Sequence, residues 1–507
     1  MRESLQKSRR VVVVGGGISG LAAAHRLLEL RSRERPSDSG HGPVEVLLLE
    51  ASARAGGTVR TYRREGFLLE GGPDSFISEK PAALELAERL GLSGRIIQTN
   101  ERHRRSFVVS RGRLRPTPEG FQLLAPSRML PFLTTDIFTW RGKARMALDL
   151  LLPRRRDANG ADDESLAAFV RRRFGREALE RMAQPMVGGI YTADPESLSL
   201  RATMPRFLEM ERRDRSLILS MWKAARASKD AARHGRGASG ARYSLFLSFD
   251  EGTQVLTDAL AARLPEDTLR LNTRVESLTP APEGDAHGSA RAPRRWLVRT
   301  TEGETIEADA VCLALPAYAS ARLLRGADEE LAAELEAIPY ASTATVNLAY
   351  ERADIAHPLD GFGFVVPFVE RRATLACTFS SVKFAGRAPE GRALLRAFVG
   401  GALQPGMFDL DEAAMTDAVR RDLRDLLGVT APPLLAHVEK WPRSMAQYHL
   451  GHTQRLARIR ALLRRHDTLA LCGNAYEGAG LPDCVRSGES AAETLYALSA
   501  DASTRFR

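Results

Sequence analysis

The residues whose spacing most clearly implies chemistry lie near the N-terminus, in VVVVGGGISGLAAA. Gly15, Gly17 and Gly20 fall in G-x-G-x-x-G spacing after a β-branched run, 11–14, and before an apolar-rich stretch, 21–30. The pattern reads as strand, tight turn, helix. In such a turn the first glycine permits the reversal, the second lets a pyrophosphate approach the backbone, and the third lets helix pack on strand. The helix N-terminus then offers free N–H groups and the positive end of its dipole to the phosphates. Residues 44–49 read as a second buried strand closing on Glu50, where an acid can hold ribose hydroxyls. A polar stretch, 31–43, reads as a surface insertion that lengthens the interval from Gly20 to Glu50 beyond the usual spacing of about 20 residues. Next come Arg54, Gly56, Gly57 and Arg60 in ASARAGGTVRT; an arginine beside paired glycines suits a second approach to phosphate. The competing reading is an apolar strand followed by a glycine-rich turn.

These residues need a scaffold, and the periodicity supplies one. The first strand, helix and second strand form a βαβ unit. From about 81 to 203 the spacing is mostly helical, clearest in LELAERLGL, around 145–152 and in SLAAFVRRRFG. Strand signals return at 268–278, 296–299 and 310–315, with APEGDAHGSARAPRR as a connecting loop. Further strands are expected at 343–349, 362–368, 374–380 and 393–400, as in the mixed sheet of a second domain. Near the C-terminus, 469–472, then GNAYEGAGLPD, then a helix from Cys484 repeat the order strand, glycine turn, helix.

At 507 residues the chain exceeds one ordinary core and predicts two or three domains. Four cysteines without a C-x-x-C pair indicate neither a disulfide framework nor a zinc cluster, which suits a reducing cytoplasm. The basic, apolar start is broken by glycines and reads as no signal peptide. No apolar run reaches the roughly 18 residues of a spanning helix, so membrane contact would be peripheral. The net charge of +10 comes from clustered arginines: Arg102, Arg104, Arg105, Arg111, Arg113 and Arg115, then 154–156 and 171–173. Such clusters suit anionic lipid or a carboxylate-bearing substrate, or form a solvated basic face; no nucleic-acid-binding module accompanies them. His449 and His452 are spaced H-x-x-H without the acid of a zinc helix and read as a packed or hydrogen-bonded pair, with no metal site. The apolar residues of FQLLAPSRMLPFLTTDIFTW line a site, rest on lipid or pack in a core.

Beyond single motifs, long stretches resemble one family. ARAGGTVR resembles the R-x-G-G motif of amine-oxidase-like flavoproteins, with Thr58 where that motif has a further arginine. EGGPDSFISEKP, PMVGGIYTADPESLSL, WPRSMAQYHLGH and LCGNAYEGAGLPDCVRSG are similar to segments of the oxygen-dependent porphyrinogen oxidases, the protoporphyrinogen oxidases and their coproporphyrinogen-oxidising bacterial relatives. FDEGTQVL departs from them, with Glu251 and Gly252 where the family has paired glycines.

The resemblance implies an α/β fold: a Rossmann-like FAD-binding domain (1–80, 241–315 and 436–507) interleaved with a mixed α/β substrate domain (205–240 and 316–435) and a helical, membrane-contacting domain (81–204). It implies non-covalent FAD, with Gly15, Gly17, Gly20, Glu50, Arg54, Gly56, Gly57, Arg60 and Val275 toward the adenosine and pyrophosphate. Gly72, Trp441, Gly473, Asn474, Gly480 and Leu481 would lie at the flavin end, the Gly189 backbone carbonyl would face the substrate, and Lys80 would meet a substrate carboxylate. The implied activity is oxidation of protoporphyrinogen IX to protoporphyrin IX in haem synthesis, with O2 as acceptor and three H2O2 formed; the alternative is coproporphyrinogen III, and more distantly a flavin amine oxidase or carotenoid desaturase. Implied partners are the porphyrinogen, O2, the inner face of the cytoplasmic membrane and the next haem-pathway enzyme. A non-catalytic flavin-binding scaffold is the reading from another class.

Overall fold

A computed structural model of the chain describes residues 9–33, 44–122, 125–126, 128–155, 163–233, 245–281 and 295–501. Most of the insertion expected at 31–43, most of the connecting loop at 281–295, part of the apolar run 121–133 and Arg156 of the 154–156 cluster lie outside the described residues.

Strand Arg9–Val14 is buried along its four valines and pairs in parallel with Val44–Leu49 on one side and Ala310–Leu313 on the other. Leu269–Arg270 and Leu469–Leu471 complete a five-stranded parallel sheet. Numbered along the chain its strands run 3-2-1-4-5, the doubly wound order whose ligand crevice opens at the carboxyl ends beside the first strand. The strand segments at 268–278 and 310–315 are shorter than the sequence predicts, because the chain turns at 271–274 and again after Leu313. Helices Ile18–Arg33 and Leu481–Asp501 pack together on one face, sharing an apolar core with Val11, Val13, Leu48 and Val485. Their approach is close because Gly488 faces Ser19: a Cβ there would overlap the Ser19 carbonyl oxygen.

A second, seven-stranded sheet runs in the order 435–446, 340–351, 392–400, 376–379, 363–365, 107–110 and 113–116. Strand Tyr340–Glu351 shows how it divides two environments. Ala344, Val346, Leu348 and Tyr350 join the core under helix Glu412–Leu427, while the alternate residues Thr345 and Asn347 turn to segment 70–71.

The helical spacing expected over 81–203 is interrupted. Phe107–Ser110 and Arg113–Pro116 form a hairpin that extends the seven-stranded sheet, because Phe107, Val108 and Val109 alternate onto two apolar cores and Gly112 takes the turn at positive φ. The arginine cluster 102–115 therefore lies on this hairpin and its approach. Several members are paired: Arg104 with Glu101, Arg105 with Asp360 and Arg115 with Asp136. Helices follow at Trp140–Ala147, Leu166–Arg173, Pro205–Asp214 and Leu217–Arg233, and Arg173 is wholly buried against Asp149, its Nε donating at 2.6 Å. Ahead of helix Gln184–Tyr191 the turn Leu179–Ala183 widens to i→i+5 bonding. Pro185 explains it, since a proline lacks the N–H and crowds the carbonyl four residues back.

Candidate dinucleotide and flavin site

The crevice is built by glycines that close distances. Gly15 leaves the first strand at φ +105°, its N–H donating to Leu49 O at 2.8 Å. Gly20 has no room for a side chain, since a Cβ would overlap the Gly15 carbonyl oxygen. Gly17 is the opposite case: among the described residues a Cβ there would meet no atom within 4 Å beyond its chain neighbours. A close glycine turn at the start of a sixteen-residue helix, packed behind and open in front, is the shape a pyrophosphate requires. The second glycine pair is locked to the first. Gly56 N–H donates to Gly16 O at 2.7 Å, and a Cβ on Gly57, which has φ +57°, would stand 3.1 Å from the Gly17 α-carbon.

Glu50 accepts from Gly16 N–H at 2.6 Å through Oε2, and from Ser52 N–H and Oγ through Oε1 at 2.8 and 2.7 Å. Oε1 is thereby saturated, while Oε2 keeps one lone pair with which to accept a ribose hydroxyl. Segment 272–275 runs alongside, with Thr273 N–H donating to Glu50 O and Asn272 N–H to Ser52 O, which brings half-buried Val275 to this end. Arg54 curls onto its own loop, its guanidinium donating to Ala55 O, Gly57 O and Val59 O, so it braces the glycine loop. Arg60 turns elsewhere: it lies over the Tyr62 ring at 4.7 Å and 3.7 Å from Glu439. Where the family pattern is broken, Gly252 keeps the close approach at φ +97° against Thr61, while exposed Glu251 pairs with Arg63 and Arg95.

At the other end, Gly72 fits so tightly that a Cβ would overlap the Thr58 carbonyl oxygen. Trp441 Nε1 donates to Gly71 O at 2.8 Å, drawing the strand of the second sheet onto this loop. Gly473 leaves strand Leu469–Leu471 at φ +131°, its N–H donating to Ser487 Oγ, and the Asn474 amide donates to Ser444 O at 2.9 Å. Gly480 and buried Leu481 open the last helix, and Asp483 in its first turn receives Lys80 Nζ at 2.6 Å. Gly189 is exposed on helix Gln184–Tyr191, 3.9 Å by its notional Cβ from Val365 of the seven-stranded sheet. His452 is buried and stacks on Tyr448 with ring centroids 4.4 Å apart; Tyr448 in turn donates to Asn474 O at 2.6 Å.

Sequence reading missed Glu70, Thr345, Asn347, Lys383 and Arg396. Glu70 is buried and accepts from Thr61 Oγ1, Thr253 N–H and Thr253 Oγ1; burial pushes its carboxyl up to about 7 against the pull of these donors. Asp74 accepts from Lys383 Nζ at 3.0 Å, and Lys383 with Arg396 outweighs burial to hold its carboxyl well below the usual range. The available signal was a charge inside an apolar strand: Arg396 stands at the centre of RALLRAFVG.

A parallel 3-2-1-4-5 sheet with a glycine turn facing its crevice and an acid ending the second strand defines a doubly wound, dinucleotide-binding α/β protein. The family model described as flavin containing amine oxidoreductase matches residues 18–495, and the chain belongs to that family: it is an FAD-dependent oxidoreductase. It is 37% identical over 96% of its length, and 90% of the other's, to a coproporphyrinogen III oxidase of Propionibacterium freudenreichii subsp. freudenreichii. A coproporphyrinogen III oxidase of Bacillus subtilis (strain 168) is 33% identical over 95% of this chain and 97% of that one. The chloroplastic protoporphyrinogen oxidase of Oryza sativa subsp. japonica is 32% identical over 96% and 87%. Among solved structures, a protein of Exiguobacterium sp. 255-15 provisionally described as a protoporphyrinogen oxidase superposes with TM-score 0.80 at 30% identity, covering 97% of this chain and 99% of that one. A putrescine oxidase, TM-score 0.66 at 20% identity, shares the fold alone.

Proposed function

We propose that this flavoenzyme oxidises a porphyrinogen to the porphyrin, with O2 as the acceptor. The supporting observation is the likeness, over nearly the full chain, to relatives named for both porphyrinogens. Those at 33% and 37% identity carry the coproporphyrinogen name, which favours coproporphyrinogen III over the protoporphyrinogen IX expected from sequence. Bound FAD supplies the two-electron redox chemistry, and the protein's share is to bind, orient and shield. In our reading Gly15, Gly17, Gly20, Glu50, Gly56 and Gly57 receive the ribose and pyrophosphate, braced by Arg54. Gly72, Trp441, Gly473, Asn474, Gly480 and Leu481 surround the flavin, and Gly189 faces the macrocycle beside Val365. Anaerobic mixing with each porphyrinogen, recorded as flavin bleaching, tests this. Faster bleaching by coproporphyrinogen III is expected; faster bleaching by protoporphyrinogen IX overturns the choice of substrate, and no bleaching by either overturns the function.

We further propose that the helical region rests on a membrane surface. Among the described residues no helix is long and apolar enough to cross one. Leu130, Trp140 and Leu151 are each more than two-thirds exposed, near Met129, Leu133, Leu148 and Arg141. Apolar side chains beside basic ones bind anionic lipid by burial and charge together. Flotation with anionic vesicles is expected, reduced in a Leu130→Ser, Trp140→Ser, Leu151→Ser variant; no flotation of the parent protein overturns the proposal.

A further inference from the structure

Consecutive carbonyls of the loop that leaves strand Phe67–Glu70 are gripped by side chains from one face of the seven-stranded sheet. Asn347 Nδ2 donates to Glu70 O at 3.4 Å, Thr345 Oγ1 and Trp441 Nε1 donate to Gly71 O at 3.1 and 2.8 Å, and Arg396 Nη2 donates to Gly72 O. Arg396 is 3% exposed, and its Nη1 lies 3.9 Å from Asp74, which Lys383 also holds. A buried guanidinium is a costly way to satisfy one carbonyl, because it must be desolvated and kept paired. Its consequence for the neighbouring peptide is geometric. The bonds are trans, so a C=O held toward the sheet turns the following N–H away from it. Gly71 O is held by two donors; the Gly72 N–H therefore points off the sheet, and it donates to no group among the described residues. Backbone donors without partners are rare in protected positions and mark places where a ligand completes the bonding. Gly72 is only half-buried, and no side chain of its own can cover that donor, since a Cβ would overlap Thr58 O.

We propose that Arg396 and Thr345 are positioning residues that fix the Gly71–Gly72 peptide so that the Gly72 N–H donates to an acceptor atom of the bound flavin. The inference rests on the reading that Gly72 lies at the flavin end. Arg396 acts through Gly72 and Asp74, and Thr345 acts through Gly71. A donor aimed at an acceptor whose negative charge grows on reduction favours the reduced form, so loosening it lowers the midpoint potential.

The test uses holoenzyme carrying Arg396→Met or Thr345→Val, the second a near-isosteric change that removes one donor with little loss of volume. Expected are a shifted visible absorption band of the bound FAD, a lower flavin midpoint potential and an FAD Kd raised at least tenfold for Arg396→Met, with smaller changes of the same sign for Thr345→Val. A lower melting temperature with unchanged spectrum and potential in Thr345→Val would overturn the proposal and leave these residues a structural role. If Arg396→Met does not fold, Thr345→Val alone decides. Failure of the parent protein to bind FAD is a different result, and it would refute the flavin reading itself.

Discussion

Gly20 stands so close to Gly15 that a methyl group on it would overlap the Gly15 carbonyl oxygen, whereas among the described residues one on Gly17 between them would touch nothing beyond its chain neighbours. The two outer glycines of the motif are therefore demanded by the fold, while the middle one leaves open the space in which the pyrophosphate is proposed to lie. Gly20→Ala is expected to cost more than about 4 kcal/mol, since a rigid backbone cannot yield to the overlap. Gly17→Ala should leave the stability of the apoprotein within about 0.5 kcal/mol of the parent and still weaken FAD by at least tenfold. Denaturant unfolding of both apoproteins, with FAD titrations, checks the pair. Equal affinity in Gly17→Ala would mean that the pyrophosphate does not pass over this glycine.

The geometry of the candidate dinucleotide half was legible because it is local. Gly15, Gly17, Gly20 and Glu50 are set by one strand, one turn and one helix, and the spacing of residue types states the geometry. The other half was not. Thr345, Asn347 and Arg396 meet Gly71, Glu70 and Gly72 respectively across 274 to 324 residues of chain, and nothing local announces which polar residue of an apolar strand faces a loop. The hairpin at 107–116 was hidden for a related reason: short strands with an alternating pattern sit between helical stretches, and only pairing with Gly363–Val365 turns them into sheet. Arg54 and Arg60 show the limit of motif reading, because residue type marked them for phosphate while the fold turns one onto its own loop and the other onto Tyr62.

Lys80 reaches Asp483, whose side chain is nearly buried, at 2.6 Å. A lysine committed to an acid in the last helix's first turn is a poor reader of a distant carboxylate. Lys80 is 44% exposed and Arg486 also approaches Asp483 at 3.4 Å, so Lys80→Ala is expected to cost only about 1 kcal/mol. Its turnover with the two-carboxylate and four-carboxylate porphyrinogens should fall by the same factor. A selective loss on coproporphyrinogen III would instead assign Lys80 to the substrate.

His452 contributes to the acid limit. Burial, with Arg455 nearby, lowers its imidazole to about 4, against 6.5 for the free side chain. The unfolded chain binds the proton first, so this group's contribution to stability is complete above about pH 6.5 and is lost as pH falls through about 4. The loss is roughly 3 kcal/mol, at 1.36 kcal/mol for each tenfold change in proton affinity. His452→Phe keeps a flat ring on Tyr448 and removes the titration. Between pH 6.5 and 4 its unfolding free energy should fall by roughly 3 kcal/mol less than the parent's; an equal fall in both would show that His452 does not carry this loss.

Glu70 works in the opposite sense. Its folded carboxyl is raised from 4.5 to about 7, because burial outweighs the donors from Thr61 and Thr253 and the more distant guanidinium groups of Arg387 and Arg396. The folded protein holds this proton after the unfolded chain has released it, so the contribution is fully present below about pH 4.5 and is lost as pH rises through about 7. By the same conversion roughly 3 kcal/mol is at stake. Glu70→Gln preserves the shape and cannot ionise, and the hydroxyls of Thr61 and Thr253 can rotate to accept from an amide where they now donate. The variant should match the parent near pH 5 and exceed it by roughly 3 kcal/mol at pH 8 to 9, where the parent carries a buried carboxylate with no salt-bridge partner at Glu70 among the described residues. Urea unfolding at pH 5, 7 and 9 reads the difference directly. A gap of roughly 3 kcal/mol already present at pH 5 would show that Glu70 is ionised there, which would require Arg387 and Arg396 to stabilise its charge more strongly than burial opposes it; a gap near zero up to pH 9 would show that Glu70 stays protonated throughout.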